Sequence, residues 1–598
     1  MRNTSKRTLL LGTAFPLLAS LGLFACKDTL TNAATPQGAL SAQVLATKSG
    51  VEASLIAAYR ALDWNQAVGG GWGNAASDWQ WASITSDDAY KGSVASDQPG
   101  TTTTELYQWS TSNTDGDLND KWRGVYEGIN RSNATLNLLK QVQGQAGVID
   151  AATAAGIAGE AIFLRAHYHF SAWRLWGNIP YYRESDTDFR KPNETSAQVI
   201  TDILKDLDSA SVLLPTTPRG GSKGRVTKWA ALAYKGRVQV YAGQFAQALT
   251  TLRAVQASGV YDLETSYDHV WTGFQDYANG KETILAYQAS ANDGDVNGSN
   301  ANWGERLNFP HSGSPFGCCG FHQPSQNLVN FFAVDPVTGL PAALTNPNWN
   351  ANNNNFTAGS GASIPVDPRL DWTVGRDSVP YKDWGLPTPS WNRDRTYGGP
   401  YSPKKNVHES SSGAQSTVGW TPSQLNSVKM HIFRYADMLL LLAEAEVEAG
   451  SLENARAIVN KIRLRAAQKA QGPGVNATGG ADRASIAVAL NDPRITWATY
   501  KVGQYTTPFT SQDQARTAVR YERRLELAME GQRFFDLKRW GIAQQTLNDY
   551  LTVEKTRRPF LTAATPFSSR NMLYPIPSNQ IELSKVGGTS ALTQNPGW

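Results

Sequence analysis

KWAALAYKGRVQVYAGQFAQALTTL, residues 228–252, sets Trp229, Leu232, Ala233, Val240 and Tyr241 on one helical face, turns at Ala242-Gly243, and resumes the period with Phe245, Ala248, Leu249 and Leu252. Two helices joined by so short a turn lie antiparallel. Neither can bury its apolar stripe alone, so the stretch predicts a hairpin that stacks on others of its kind.

Trp, Tyr, a Gly turn and an aromatic followed by Ala resemble a tetratricopeptide unit of about 34 residues. Phe433 to Leu464 repeats the pattern, with Tyr435, Met438, Leu439, Leu442 and Ala443 before Ala449-Gly450, and Leu452, Ala455, Ile458, Val459 and Ile462 after it. Gly159 to Leu175 and Ala197 to Leu213 make a third pair. Arg520 to Trp540 is a late, densely charged helix in which Glu522, Glu526 and Glu530 are interleaved with Arg520, Arg523, Arg524 and Arg533; it reads as an ion-pair lattice locking the last hairpin.

From residue 290 to 428 the periodicity fades into Asn, Gly, Pro and Ser, yet rings keep coming: Trp303, Phe309, Phe316, Phe321, Trp349, Trp372, Trp384 and Trp391. That is too much apolar surface for a solvated tail, so ordered loops packed on the helices are expected. The fold class is mostly α, a tetratricopeptide-like helix-pair core overlaid by a loop-rich irregular half with little β. Its expected divisions are 49–290, N-terminal and helical, and 291–598, C-terminal, itself loop-rich at 291–428, helical at 429–545 and irregular at 546–598.

The first residues are an address. Arg2, Lys6 and Arg7 precede the apolar run Leu9 to Phe24, and Leu23-Phe24-Ala25-Cys26 ends it in the manner of a lipoprotein signal. Residues 1–25 are read as signal peptide, Cys26 as the lipidated residue, and 26–48 as a tether. Cleavage removes three basic groups and no acidic one, so 55 Lys+Arg against 51 Asp+Glu falls to near balance. Neither figure is the electrostatic footprint of a nucleic-acid binder. No later apolar run is long enough to span a bilayer, which leaves the lipid as the membrane attachment.

Catalytic signatures are weak. Gly220-Gly221-Ser222-Lys223-Gly224 fits G-x-S-x-G but sits in a loop between helices instead of following a strand. His167 and His169 are two apart and point to different faces of a helix, and carboxylate pairs such as Asp87-Asp88 suit turns as well as chemistry. Asp293, Asp295 and Asn297, with Gly298 and Glu305, reproduce part of a calcium loop, against the plainer reading of an Asn/Asp/Gly turn. Cys318 and Cys319 are adjacent, and either a strained bridge or two free buried thiols fits them.

Taken in order, several blocks resemble the SusD/RagB family of outer-membrane nutrient-binding lipoproteins: GEAIFLRAHYHFSAWRLWGNIP at 159–180, Asp367-Pro368-Arg369-Leu370, Phe433-Arg434-Tyr435-Ala436-Asp437, Phe534 through Trp540, Tyr574-Pro575-Ile576-Pro577 and Leu592 through Gly597. The resemblance implies a protein without catalysis or required cofactor, lipid-anchored at the outer membrane and facing outward. It would bind an oligosaccharide or other nutrient as the lid of a TonB-dependent SusC-like transporter. The alternatives are an exported glycoside hydrolase or a helical-repeat scaffold for a protein or peptide.

Ligand-contacting rings are expected in loops beside amides and carboxylates, where an indole covers the apolar face of a sugar and its neighbours bond the hydroxyls. Trp72 with Asn74 and Asp78, Trp303 with Asn302, Trp384 with Asp383, and Trp391 with Asn392 meet that criterion. Helical rings such as Trp173, Trp229 and Trp540 are assigned to the core.

Overall fold

The computed structural model describes residues 45–63, 72–97, 114, 116–143, 145, 147–353, 364–469 and 492–598. The signal peptide and Cys26 lie outside the described residues. Among the described residues eleven helices have seven residues or more: α1 (Lys48–Arg60), α2 (Gly116–Gln143), α3 (Ala151–Trp176), α4 (Ser196–Leu213), α5 (Lys228–Tyr241), α6 (Phe245–Ala257), α7 (Tyr435–Ala449), α8 (Leu452–Ala466), α9 (Gln512–Leu527), α10 (Arg533–Arg539) and α11 (Ala543–Arg557). Thr47, Asp150, Thr195, Thr227, Ser451 and Ser511 cap six N-termini with side-chain oxygens, each on a backbone N–H three residues on.

From α1 to α8 each helix packs on the next, and α9 packs on both α7 and α8. The array is thus continuous although about 180 residues of loop separate α6 from α7. The hairpin at 228–252 forms as its period requires, and Gly236 sets its spacing: a Cβ there would come within 2.2 Å of Leu252. Trp173 is half-buried and packs against the core; Trp229 and Trp540, assigned to the core from their helical positions, are half-buried outside it, and Trp79, Trp81, Trp122 and Trp176 are buried fully or nearly so.

Among the described residues the sheets are four two-stranded pairs. Ala89–Gly92 runs antiparallel to Phe321–Pro324, and Thr283–Tyr287 antiparallel to Met430–Arg434. Phe433 and Arg434, expected to begin a helix, end that second strand instead, and α7 starts one residue later.

The charged stretch Arg520 to Trp540 is two helices, not one. Met529 (φ 64°) and Gly531 (φ 65°) are left-handed, and a Cβ on Gly531 would lie 1.7 Å from the Ser77 carbonyl oxygen. The break lets Glu526 and Glu530 enter a buried ionic lattice. Arg434 reaches Glu282, Glu526 and Glu530; Arg369 reaches Asp367, Glu522 and Glu526; Arg463 and Arg465 add Glu522, and Glu282 with Glu526. The lattice fastens the loop-rich half, through Arg369 and Lys405, onto the helical array.

Candidate functional site

The loops that reach the surface above this lattice are fixed from below. After α1, Trp72–Asn74 makes one helical turn, and Asn74 turns inward to donate to the Asp120 carbonyl at 2.8 Å. Asp78, left-handed at φ 52°, is buried between Lys121 Nζ at 2.6 Å and Arg174 Nη2 at 2.8 Å, and these cations hold its carboxyl below the usual range against the cost of burial. Asn74 and Asp78, expected beside a ligand, anchor the segment. Trp72 alone of that trio stays half-exposed.

Trp303 donates its indole N–H to the Gly298 carbonyl at 2.7 Å and packs with Ala301, Leu425 and Trp72. One turn later Arg306 is fully buried. Its Nε donates to the Trp420 carbonyl at 3.2 Å, its Nη2 to Thr421 Oγ1 at 2.9 Å, and its guanidinium carbon lies 3.3 Å from the Trp420 ring centroid. The same carbon is 5.8 Å from Trp72 and 5.9 Å from Trp303. Among the described residues Arg306 makes no ion pair and its Nη1 has no hydrogen-bond partner; burial alone pulls its pKa down to about 10.

Trp420 is 61% exposed. A planar guanidinium stacks on an indole as a lysine ammonium cannot, so Arg306 covers the inner face and the outer face remains open to solvent. Trp72 stands beside it, ring centroids 6.5 Å apart and planes inclined by 40°. The result is a ledge of two tilted indoles resting on one desolvated cation. Sequence criteria passed over Trp420 because its neighbours, Gly419 and Thr421, carry neither amide nor carboxylate. The available signal was Gly-Trp-Thr-Pro itself, a turn that projects its ring; Gly419 (φ 94°) and Thr421 (φ 52°) are both left-handed.

Trp384 and Trp391 lie in a different group. Trp391 is buried with Phe309, Phe316, Tyr381 and Val407, while half-buried Trp384 donates to the His408 carbonyl at 2.8 Å and meets Phe316 edge-on at 4.7 Å. Asp383 is occupied by the N–H groups of Ser410 and Ser411, and Asn392 by the Tyr401 carbonyl. Cys318 and Cys319 are joined as a disulfide across a cis peptide, with α-carbons 3.1 Å apart, so of the two readings the bridge is the one present. Gln424 donates to the Cys318 carbonyl and Ser423 to that of Phe316, which ties the disulfide turn to the Trp420 loop.

The calcium reading loses its ligands to the turn. Asp293 accepts the Asp295 N–H and the Asn300 amide, Asp295 accepts the Asn297 N–H, and Glu305 is buried elsewhere with Ser77, Asn308 and Asn406. Among the described residues no three His, Cys, Asp or Glu side chains converge on a metal position. His167 bonds Tyr234, His169 bonds the Arg165 carbonyl and the Tyr182 N–H, and Asp87 and Asp88 face Arg524. Ser222 is an exposed residue between α4 and α5, after a helical turn at Arg219–Gly221.

Residues 281–598 match the SusD family, and residues 66–240 match a family described as starch-binding associating with outer membrane. SusD-like protein P38 of Formosa agariphila is 25% identical over 397 residues, 65% of this chain and 67% of that protein. Surface glycan-binding protein A of Bacteroides fluxus superposes with a TM-score of 0.64 at 22% identity, over 92% of this chain and 100% of that one. Its namesake from Bacteroides thetaiotaomicron, solved in complex with laminarihexaose, gives 0.64 at 18% identity, over 92% and 99%. At these identities the superpositions establish a common fold.

Proposed function

This chain belongs to the SusD family, and from that premise we propose that it is a cell-surface lipoprotein that captures a saccharide on the Trp72–Trp420 ledge and delivers it to a TonB-dependent outer-membrane transporter. The observation that carries the reading is the Trp420 indole, held on its inner face by Arg306 and open on its outer one. A pyranose ring lies with its C–H face on such a surface, and the Thr421 hydroxyl beside it, which accepts from Arg306, keeps its own proton to donate to a sugar oxygen. Two pre-set rings on a shallow ledge give modest affinity, which suits handover. Lid closure follows if the loaded protein prefers the transporter-bound state, since a ligand shifts an equilibrium only by its differential affinity. Cys26 carries the lipid in this reading, and palmitate labelling lost in Cys26→Ala tests it.

The binding test is retardation of the purified protein in native gels containing laminarin or one of a panel of other neutral polysaccharides. One gel is expected to retard the wild type, and Trp420→Ala with Trp72→Ala to run as in plain gel, with far-UV circular dichroism unchanged. Equal retardation of the double variant would place the site elsewhere.

A further inference from the structure

A separate opening lies where α9 and α11 face the segment 326–350. It is a cavity of about 460 Å³ whose walls include Phe331, Trp349, Tyr521 and Trp540 together with Arg520. Four arginines project from α9, and three are matched: Arg516 with Glu448 and Asp513, Arg523 with Asp437 and Asp536, Arg524 with Asp87 and Asp88. Arg520 is the exception. It lies over the Trp540 ring at 5.0 Å and, among the described residues, makes no ion pair or hydrogen bond. The nearest carboxylates are committed, Glu444 to Arg539 and to the Trp540 N–H, Glu448 to Arg516 and Gln512. Half-burial without a partner draws the Arg520 pKa below its ordinary value.

The rest of the wall suits a ring-shaped polar ligand. Trp349 and Tyr521 stand edge-on to Phe331 at 5.4 and 5.1 Å, half-exposed, and among the described residues the Tyr521 hydroxyl has no hydrogen-bond partner. Thr517, Thr546 and Asn350 add hydroxyl and amide groups. Of the two carboxylates on the lining, Asp87 is neutralised by Arg524 and Arg533, and Asp549 sits at the exposed rim bonded by Gln545.

We infer that this cavity is a second binding site, selective for an anionic sugar unit, with the carboxylate or sulfate on Arg520 and the sugar ring among Trp349, Tyr521 and Trp540. The anion follows from the unmatched guanidinium; that the ligand is a saccharide rests on the function proposed above. Arg–oxyanion pairs formed in a partly desolvated cavity are strong enough to select charge.

Isothermal titration of the purified protein with trigalacturonate, its fully methyl-esterified form, and a sulfated carrageenan tetrasaccharide tests this at low salt. Trigalacturonate or the sulfated probe is expected to bind one per chain, and which of them binds identifies the oxyanion. If it is trigalacturonate, the neutral ester should bind at least tenfold more weakly. Arg520→Gln should weaken the acidic probe at least tenfold, Arg520→Lys less, and Trp420→Ala not at all. Unchanged thermal midpoints confirm that the variants fold, as expected for a residue without a partner. Failure of both acidic probes to bind, or equal binding by Arg520→Gln, overturns the second site and leaves the Trp420 ledge untouched; loss with Trp420→Ala assigns the acid to the ledge and also overturns it.

Discussion

Arg306 and Glu305 are neighbours in sequence and opposites in use. Arg306 spends its burial on positioning Trp420, so Arg306→Lys should cost more than a charge-conserving change suggests. An ammonium lacks the flat face that covers the indole, and as a single point donor it cannot stack there while bonding the Trp420 carbonyl and Thr421 from two separate nitrogens, as the guanidinium does. The expected outcome is a loss of about 1 kcal/mol in urea-unfolding stability, on the scale of one cation–π contact, with saccharide affinity several-fold lower. Glu305 is a buried carboxyl. Burial drives its pKa up to about 7, partly offset by hydrogen bonds from Ser77 and Asn308, with Asp63 nearby adding repulsion. A raised acid pKa stabilises the fold fully below the ordinary value of 4.5, and that contribution is lost as pH rises through about 7. The difference corresponds to about 3 kcal/mol. Glu305→Gln keeps the shape, and the unbonded side-chain oxygens of Asn308 and Asn406 can accept from its amide. Unfolding free energy of the wild type should therefore fall from about pH 5 to pH 8 relative to the variant; parallel curves would show that Glu305 does not titrate there. Neither role was legible beforehand, because burial is a property of the fold and the two side chains look equally solvent-ready in the sequence.

At the scale of elements, the hairpins could be read and their fastenings could not. Lys228–Tyr241 begins and ends where the apolar period places it, since that period is the cause of the packing. The late charged stretch was read as one helix with its own ion pairs. Its geometry says otherwise: Glu522 and Glu526 share one face of α9, while Arg523 and Arg524 point round the helix to Asp437, Asp536, Asp87 and Asp88. The glutamates are instead met by Arg369, Arg434, Arg463 and Arg465, up to 157 residues away, which no local spacing can announce. Removing one member of a buried lattice strands the others. Glu526→Gln should cost about 3–5 kcal/mol in chemical denaturation, whereas Arg516→Ala, on the rim of the same helix, should cost about 1 kcal/mol or less. Similar costs for both would mean the lattice is no more than surface decoration. The three cations around Glu526 also hold its carboxyl well below the usual range against the cost of burial, so its share of stability is present above pH 4.5 and lost as pH falls through that lowered value.

Across the whole molecule, one apolar core joins helices on both sides of the change in sequence texture, taking its members from Val51–Ala289 and from Met430–Leu592, while the loop-rich stretch between them packs in three smaller clusters. Helix α6 is covered by α7, Tyr234 packs against Phe433 at 5.9 Å, and Arg237 donates to the Ile432 carbonyl and Gln532. The C-terminal Tyr574-Pro575 returns to the start of the array: its tyrosine hydroxyl meets Thr85 at 2.7 Å, and Trp176 donates to the Pro575 carbonyl at 3.0 Å. A fragment of residues 49–290 would keep its hairpins but expose the α6 face, strip Arg237 of its acceptors Ile432 and Gln532, and leave Glu282 without Arg434 and Arg465. Helix pairs in such arrays are stabilised by their neighbours, and an uncapped end is the weak point. The fragment is therefore expected to show helical far-UV circular dichroism, little near-UV signal, binding of a hydrophobic dye and a broad thermal transition. A sharp, cooperative transition in the isolated fragment would show that the first six helices are a domain in their own right, and that the lattice joins two folded units instead of completing one.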